Sequence, residues 1–327
     1  MIGAIDSGDW KVFTQDELTP VAWAESGETL SIFNNSLYRH DGGLIMAYRV
    51  VTPDGRRRIA TCRLREDWSV VSGSVQPFSD DLTYFDQNEA DPASGSWVAD
   101  PRFVTLQGRL YLHFNFGSNP RPNRIYLVEV DPVTLTPVSP AREVVRTGSR
   151  QEIEKNWIFF EHGEAVYVVY NFAPLVILHA DLTDVNRVRC TPAFRHEWDA
   201  ACYEGAYGQI RGGATPVDVN GRFHFICHSA FRTDPGSNAG AEPEDICYVA
   251  PLVVLDGTPP FAPFLHSSRP VLEATAREQA MPFQPRLDPR CCEAVYPVGA
   301  VADGADLIVS YGLNNRYAVL RRMPRSE

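Results

Sequence analysis

The chain has 327 residues, of which 44% are hydrophobic and 22% charged, a globular composition able to bury a large core. Its formal net charge is −11 with no block of like charges, which argues against nucleic acid or an anionic membrane as a partner. No run approaches the roughly 18 apolar residues of a membrane-crossing helix.

The N-terminal segment to residue 27 reads as a short strand over 10–13 and a connector. Two extended runs within 32–50 then flank Asp41-Gly42-Gly43, a strong hairpin signal, and further strands follow at 58–64 and near 70–77. A second unit opens on Ala99-Asp100-Pro101-Arg102, turns at Gly108 and continues over 109–114 and 124–130. Pro101 has a fixed φ and biases Asp100 toward extended backbone. A third unit runs 153–160, turns at His162-Gly163, and continues over 165–170 and 176–181. The fourth runs 212–219, turns at Asn220-Gly221, and continues over 222–228 and 246–252. The fifth runs 294–301, turns at Asp303-Gly304, and continues over 306–312 and 317–320. The best helix candidate, 272–280, is short and flanked by prolines.

Aligned on their glycine turns, the units recur at intervals of about 55–85 residues, close to propeller-blade periods once insertions are allowed. Short sheets without helices hide their edges by radial repetition. The expected fold is an all-β, five-bladed β-propeller in a single domain. Its blades lie at 28–85, 86–147, 148–205, 206–280 and 281–327, and the strand in 1–27 completes the last blade. Most of the seven cysteines sit in apolar text, where a reduced buried thiol is the default, and Cys291-Cys292 matches no zinc spacing. No metal is expected. Residues 1–10 carry no leader pattern, and the expected location is cytoplasmic.

Motifs in all five units resemble those of glycoside hydrolase family 130, the inverting β-mannoside phosphorylases, and their transferase relatives. The resemblance runs from about Phe33 to Leu320. Asn34-Asn35-Ser36 with Ala47-Tyr48-Arg49 is similar to the family's opening hairpin, and Ala99-Asp100-Pro101-Arg102 to its Glu-Asp-Pro-Arg, whose Asp is the catalytic acid. Lys155-Asn156 stands where the family has Lys-Asp. Gly212-Gly213-Ala214-Thr215-Pro216 with Cys227-His228-Ser229 resembles its glycine-rich strand and Tyr-His-Gly. Tyr296-Pro297-Val298-Gly299 with Tyr311-Gly312 resembles the last blade. Two departures touch chemistry. The phosphate-binding Arg of the family's His-Arg-Pro is replaced in Tyr170-Asn171-Phe172-Ala173-Pro174, and a carboxylate is lost in Leu313-Asn314-Asn315.

The first strands of propeller blades line the central channel, so the polar residues opening each unit converge: Asn35, Asp100 with Arg102, Lys155 with Asn156, Arg211 and Glu293. Cleaving or forming a glycosidic bond needs a proton donor or acceptor at the bridging oxygen. Asp100 is the choice for that acid/base; as an Asp-Pro turn it would be merely structural. Lys155, Arg211 and His228 are expected to bind an anionic donor or acceptor, and Asn35, Arg49 and Arg102 to hold the sugar. Asn156, Glu293 and Tyr311 complete the expected substrate-binding set. Glu154, Glu204 and Glu293 are candidates for a second carboxylate, and Trp97, Trp157 and Tyr207 for stacking on a sugar ring. The resemblance implies a carbohydrate-active enzyme acting on a glycosidic, in this family mannosidic, bond with inversion, as a glycosyltransferase or phosphorylase. The expected partner is a small sugar or glycan. No cofactor is expected, with inorganic phosphate or a sugar nucleotide as co-substrate. The alternatives are an inverting hydrolase and a non-catalytic glycan-binding propeller.

Overall fold

A computed structural model describes residues 9–24, 31–52, 54–85, 97–117, 123–148, 150–232, 246–282 and 291–325. Strand β1 (Trp10–Val12) leads into two one-turn helices, α1 (Gln15–Leu18) and α2 (Val21–Ala24). The first antiparallel sheet is β2 (Ser31–His40), β3 (Gly43–Val51) and β4 (Arg57–Leu64). The second is β5 (Val98–Leu106), β6 (Arg109–Phe116), β7 (Arg124–Glu129) and β8 (Arg142–Arg146). The third is β9 (Ile158–His162), β10 (Ala165–Asn171), β11 (Leu175–Asp181) and β12 (Arg187–His196), followed by α3 (Ala201–Tyr207). In the fourth, β13 (Val217–Val219) and β14 (Arg222–Ile226) are followed by a side hairpin, β15 (Ser229–Arg232) and β16 (Ile246–Val249), before β17 (Leu252–Asp256) and β18 (Pro263–His266). After α4 (Ala276–Gln279), β19 (Cys291–Asp303), β20 (Asp306–Leu313) and β21 (Tyr317–Pro324) form the fifth sheet, which β1 completes by pairing with β21.

Each sheet joins its first two strands through a two-residue loop, as the pairings His40↔Gly43, Leu106↔Arg109, His162↔Ala165, Val219↔Arg222 and Asp303↔Asp306 show. Positive φ at Asp41-Gly42, Gln107-Gly108 and Asn220-Gly221 gives the tight turns whose twist matches the strands they join. The second strands are apolar on both sides, because alternate residues face different neighbouring sheets. On β3, Leu44, Met46, Tyr48 and Val50 pack toward Ile308 and Leu320 of the fifth sheet, while Ile45 and Ala47 pack toward Phe103 and Leu112 of the second. Further clusters fill the gaps between the second and third, third and fourth, and fourth and fifth sheets. The described residues therefore form an all-β propeller whose sheets close into a ring.

Three expectations are corrected. The run over 246–252 is not one strand: Pro251 interrupts it, its carbonyl accepting from Cys227 N, so β16 leaves for the side hairpin and β17 takes the place beside β14. Residues 212–216 are not strand; Gly212 and Gly213 there lie close against the backbones of Asn156 and of Ile226-Cys227. The helix in 272–280 shrinks to one capped turn, α4, whose N-cap is Thr275. No helix among the described residues is long and apolar enough to cross a membrane. Cys62, Cys190 and Cys227 are buried free thiols, Cys247 is buried, and the side chains of Cys291 and Cys292 lie outside the described part.

Candidate active site

The inner strands are deformed where they reach one end of the ring. Pairing jumps between Phe33 and Ser36 on β2 and between Ala99 and Arg102 on β5. The extra residues carry left-handed backbone, with φ of 54° at Asn34 and 55° at Asp100, and just ahead of β9 Asn156 has φ of 64°. A bulge of this kind re-aims a side chain, and Asn and Asp tolerate the left-handed region better than other side chains. Asp100 is therefore not in the extended backbone expected ahead of Pro101.

The carboxylate of Asp100 is held from three directions. Asn34 Nδ2 donates to Oδ1 at 2.6 Å, Arg49 Nη2 approaches the same oxygen at 3.1 Å, and Asn115 Nδ2 donates to Oδ2 at 3.1 Å. Arg49 comes from β3, opposite Phe33, with its guanidinium 4.1 Å above the Phe33 ring. Arg102 lies beneath, fully buried: Nε donates to Gly213 O at 2.6 Å, Nη1 to Asp100 O at 3.1 Å and Nη2 to Tyr296 Oη at 3.3 Å. The Tyr296 hydroxyl in turn donates to Asn156 Oδ1 at 2.9 Å. Burial alone would raise the Asp100 pKa, but Arg49, Arg102 and the Asn34 amide outweigh it and bring it down to about 2. The group is an anion at neutral pH.

Asp100 lines a cavity of about 260 Å3 together with Asn34, Arg49, Arg57, Lys155, Asn156, Arg211 and His228. Among the described residues that line it, Asp100 is the lone carboxylate, facing four cationic side chains. Arg211 and His228 pair through their backbones, with N–O distances of 2.9 Å in both directions, which seats both side chains at the same rim. Gly212 allows this close packing, since a Cβ there would lie 2.1 Å from Asn156 O. Burial, then Arg102 and Arg211, lower the His228 pKa to about 3, so its ring is neutral and acts as a hydrogen-bonding group rather than a cation. No cluster of three or more His, Cys, Asp or Glu among the described residues is placed to hold a metal ion.

Asp100, Arg49, Lys155, Asn156, Arg211, His228 and Trp97 thus meet at one cavity, with Arg102 supporting it from below. Three expected residues do not reach it. Asn35 points into the ring, its amide donating to Val319 O at 3.2 Å, because the bulge gives the cavity to Asn34. Tyr311 faces the cluster between the fourth and fifth sheets and its hydroxyl donates to buried Glu278. Glu293 is half-buried and accepts from Gln279 Nε2 at 3.3 Å. Of the other candidates, Glu154 accepts from Gln151 N at 2.9 Å and Glu204 from Ile210 N at 3.1 Å, both outside this cavity. Trp157 packs edge-on against Tyr170, and Tyr207 against Tyr203 and Phe231. Sequence reasoning missed Asn34, Arg57, Asn115 and Tyr296 as site residues. Aligning Phe33-Asn34 with Ala99-Asp100 is the signal that finds the first.

No protein-family model matches the chain, and no curated protein matches it. Solved structures do. A β-1,2-mannobiose phosphorylase from Listeria innocua superposes with a TM-score of 0.62 at 14% identity, covering 96% of each chain. A structure from work on the GH130 family of mannoside phosphorylases, and on its glycoside hydrolases that target β-1,2 mannosidic linkages in Candida mannan, gives 0.61 at 11% identity, covering 91% of this chain and 85% of that one. A GDP-Man-dependent mannosyltransferase from Leishmania mexicana gives 0.57 at 10% identity, covering 95% of each. The chain has the fold of the GH130 mannoside phosphorylases, carried by a sequence of 10–14% identity to these three.

Proposed function

We propose that the protein is an enzyme that transfers a glycosyl group, mannosyl by analogy with the proteins that share its fold, between a phosphate-bearing donor and an acceptor hydroxyl. The observation that carries this is the single ionised carboxylate, Asp100, facing Arg49, Arg57, Lys155 and Arg211 across one cavity. In synthesis, the acceptor oxygen bonds to the anomeric carbon as the carbon–oxygen bond to phosphate breaks. The electron pair leaves with the phosphate, and the hydroxyl proton passes to the Asp100 carboxylate. In phosphorolysis the attacking hydrogen phosphate supplies the proton, which passes by way of the Asp100 carboxyl to the bridging oxygen as the glycosidic bond breaks. Lys155 and Arg211 bind the phosphate as charges, and neutral His228 adds a hydrogen bond. Attack opposite the leaving phosphate inverts the anomeric centre. A water-using inverting hydrolase needs a second carboxylate roughly 6.5–9.5 Å from the acid. The cavity's described lining offers none.

The domain organisation follows the same reading: one propeller domain of five blades at 28–85, 86–147, 148–205, 206–280 and 281–327, with 1–27 supplying the closing strand and connector. The test is turnover of mannose 1-phosphate and of GDP-mannose with mannose or manno-oligosaccharide acceptors. Asp100→Asn is expected to lower turnover by about 10²–10⁴-fold, since an amide cannot take the proton. No turnover of either donor, or sugar binding that survives Asp100→Asn without any product formed, would overturn it in favour of a binding protein.

A further inference from the structure

A second cavity, of about 810 Å3, adjoins the first, and the two share Lys155, Asn156 and Arg211 as a common wall. It sits over the end of the third sheet, between Arg146 at the end of β8, Tyr170 and Phe172 beside β10, Phe194 on β12, and Gln209. Its volume falls in the range of small-molecule sites. It is far larger than the cavity that holds Asp100, and the glycosyl transfer proposed above gives it no part.

Its lining has a distinct chemistry. The Arg146 guanidinium lies 4.5 Å above the Tyr170 ring, and Trp157 braces the same ring edge-on at 5.0 Å. A guanidinium stacked on tyrosine offers a flat, delocalised surface on which another planar ring can lie. Uncharged amides of Gln151, Asn171 and Gln209 also border the space, and amides of this kind pair with the polar edge of a heterocyclic base. The cations of the shared wall face both cavities, on a protein whose net charge is −11. Local positive charge on an acidic protein is a focused field for an anion. A planar platform, neutral amides and a cationic threshold leading to the reaction centre fit one class of molecule.

We propose that the second cavity binds the nucleoside of a nucleoside diphosphate sugar, with the diphosphate crossing the Lys155/Arg211 wall and the sugar reaching Asp100. This rests on the reading of the first cavity as a site for a phosphate-bearing donor and narrows that donor to a sugar nucleotide. Transfer then releases nucleoside diphosphate: the anomeric carbon–oxygen bond breaks, its electron pair leaves on the β-phosphate, and the acceptor's proton goes to Asp100.

The test is calorimetry on the full chain with GDP, UDP and ADP, each compared with inorganic phosphate and with mannose 1-phosphate. At least one nucleoside diphosphate is expected to bind about tenfold or more tightly than inorganic phosphate, the share a stacked base contributes. Ala193→Trp, which fills the second cavity from the irregular pairing of β12 with β11, is expected to abolish that advantage while leaving phosphate affinity unchanged. Arg146→Met, which keeps the bulk and removes the stacked cation, is expected to weaken nucleotide binding about tenfold and guards against misfolding of the tryptophan variant. No nucleotide binding tighter than phosphate overturns the inference, as does an advantage that survives both variants. So does competition for the cavity by manno-oligosaccharides, which would make it an acceptor site. Turnover of mannose 1-phosphate without nucleotide binding would leave the function of Asp100 standing and remove this assignment alone. Nucleotide binding without Asp100-dependent turnover would do the reverse.

Discussion

Asp100 and His228 both have pKa values displaced downward, and both make the fold sensitive to acid. His228 has a pKa of about 3 in the fold against an ordinary 6.5, so the unfolded chain takes up its proton first as pH falls. Its contribution is complete above pH 6.5 and is lost between there and pH 3. Buried His113, lowered well below its ordinary value by burial and Arg102, acts in the same direction. Asp100, at about 2 against 3.8, adds a second loss below pH 3.8. Urea unfolding should therefore show stability falling already from pH 7 to pH 5, with a smaller fall in His228→Asn. Equal slopes in the two proteins would mean that the His228 ring is not held neutral. Asp100 itself was legible from its motif, while its partners were not. Asn34 and Asn35 are indistinguishable as residue types, and only the bulge decides that the first faces the cavity and the second the core.

Strands determine how precisely these residues are held. Gly312 on β20 lies under Asn34: a Cβ there would come within 2.0 Å of Asn34 Oδ1 and 2.9 Å of its backbone N. Gly163, in the turn between β9 and β10, has φ of 60° and open space around it. Gly163→Ala is expected to cost about 1–2 kcal/mol of stability through backbone strain alone and to leave turnover intact. Gly312→Ala is expected to cost about 1–3 kcal/mol by overpacking and also to lower turnover about tenfold, because displaced Asn34 releases Asp100. Equal turnover in both variants would show that the Asn34 contact does not matter. The first four strands and every glycine turn could be read from local alternation, since hairpins are short-range objects. Tyr311 and Glu293 were misjudged because motif position along a strand does not say which face a side chain takes. Pro251 divides what looked like one strand, and β8, β12 and β18 at the outer edges lack the apolar alternation that marks inner strands.

Closure of the ring depends on the chain's two ends meeting. Strand β1 pairs with β21, Phe13 joins the cluster between the first and fifth sheets, and Trp10 Nε1 donates to buried Glu278 at 2.9 Å. Deleting residues 1–13 exposes the edge of β21 and leaves Glu278 short of a donor. The loss should be about 2–4 kcal/mol, seen as a lower melting temperature and a lower urea midpoint. An unchanged midpoint would mean the ring does not need this closing strand. The ring itself could be anticipated from five similar units, whereas the large second cavity could not. Its walls come from Arg146, Tyr170, Phe194 and Gln209, scattered across three elements and a loop that no motif connects.

The sheets are not joined alike. Strands β8 and β12 run parallel and pair from Glu143↔Arg187 to Arg146↔Cys190, welding the second and third sheets into one eight-stranded ribbon, and β16 ties the fourth sheet's hairpin to β19 of the fifth. No strand ladder among the described residues crosses from the third sheet to the fourth. Among these residues the first sheet likewise shares no strand ladder with either neighbour, so the ring is stitched in some places and only packed in others, and the packed seam beside the third sheet has Lys155 on one side and Arg211 on the other. An anion gripped by both would act as a clasp, slowing amide exchange along that seam more than anywhere else in the ring.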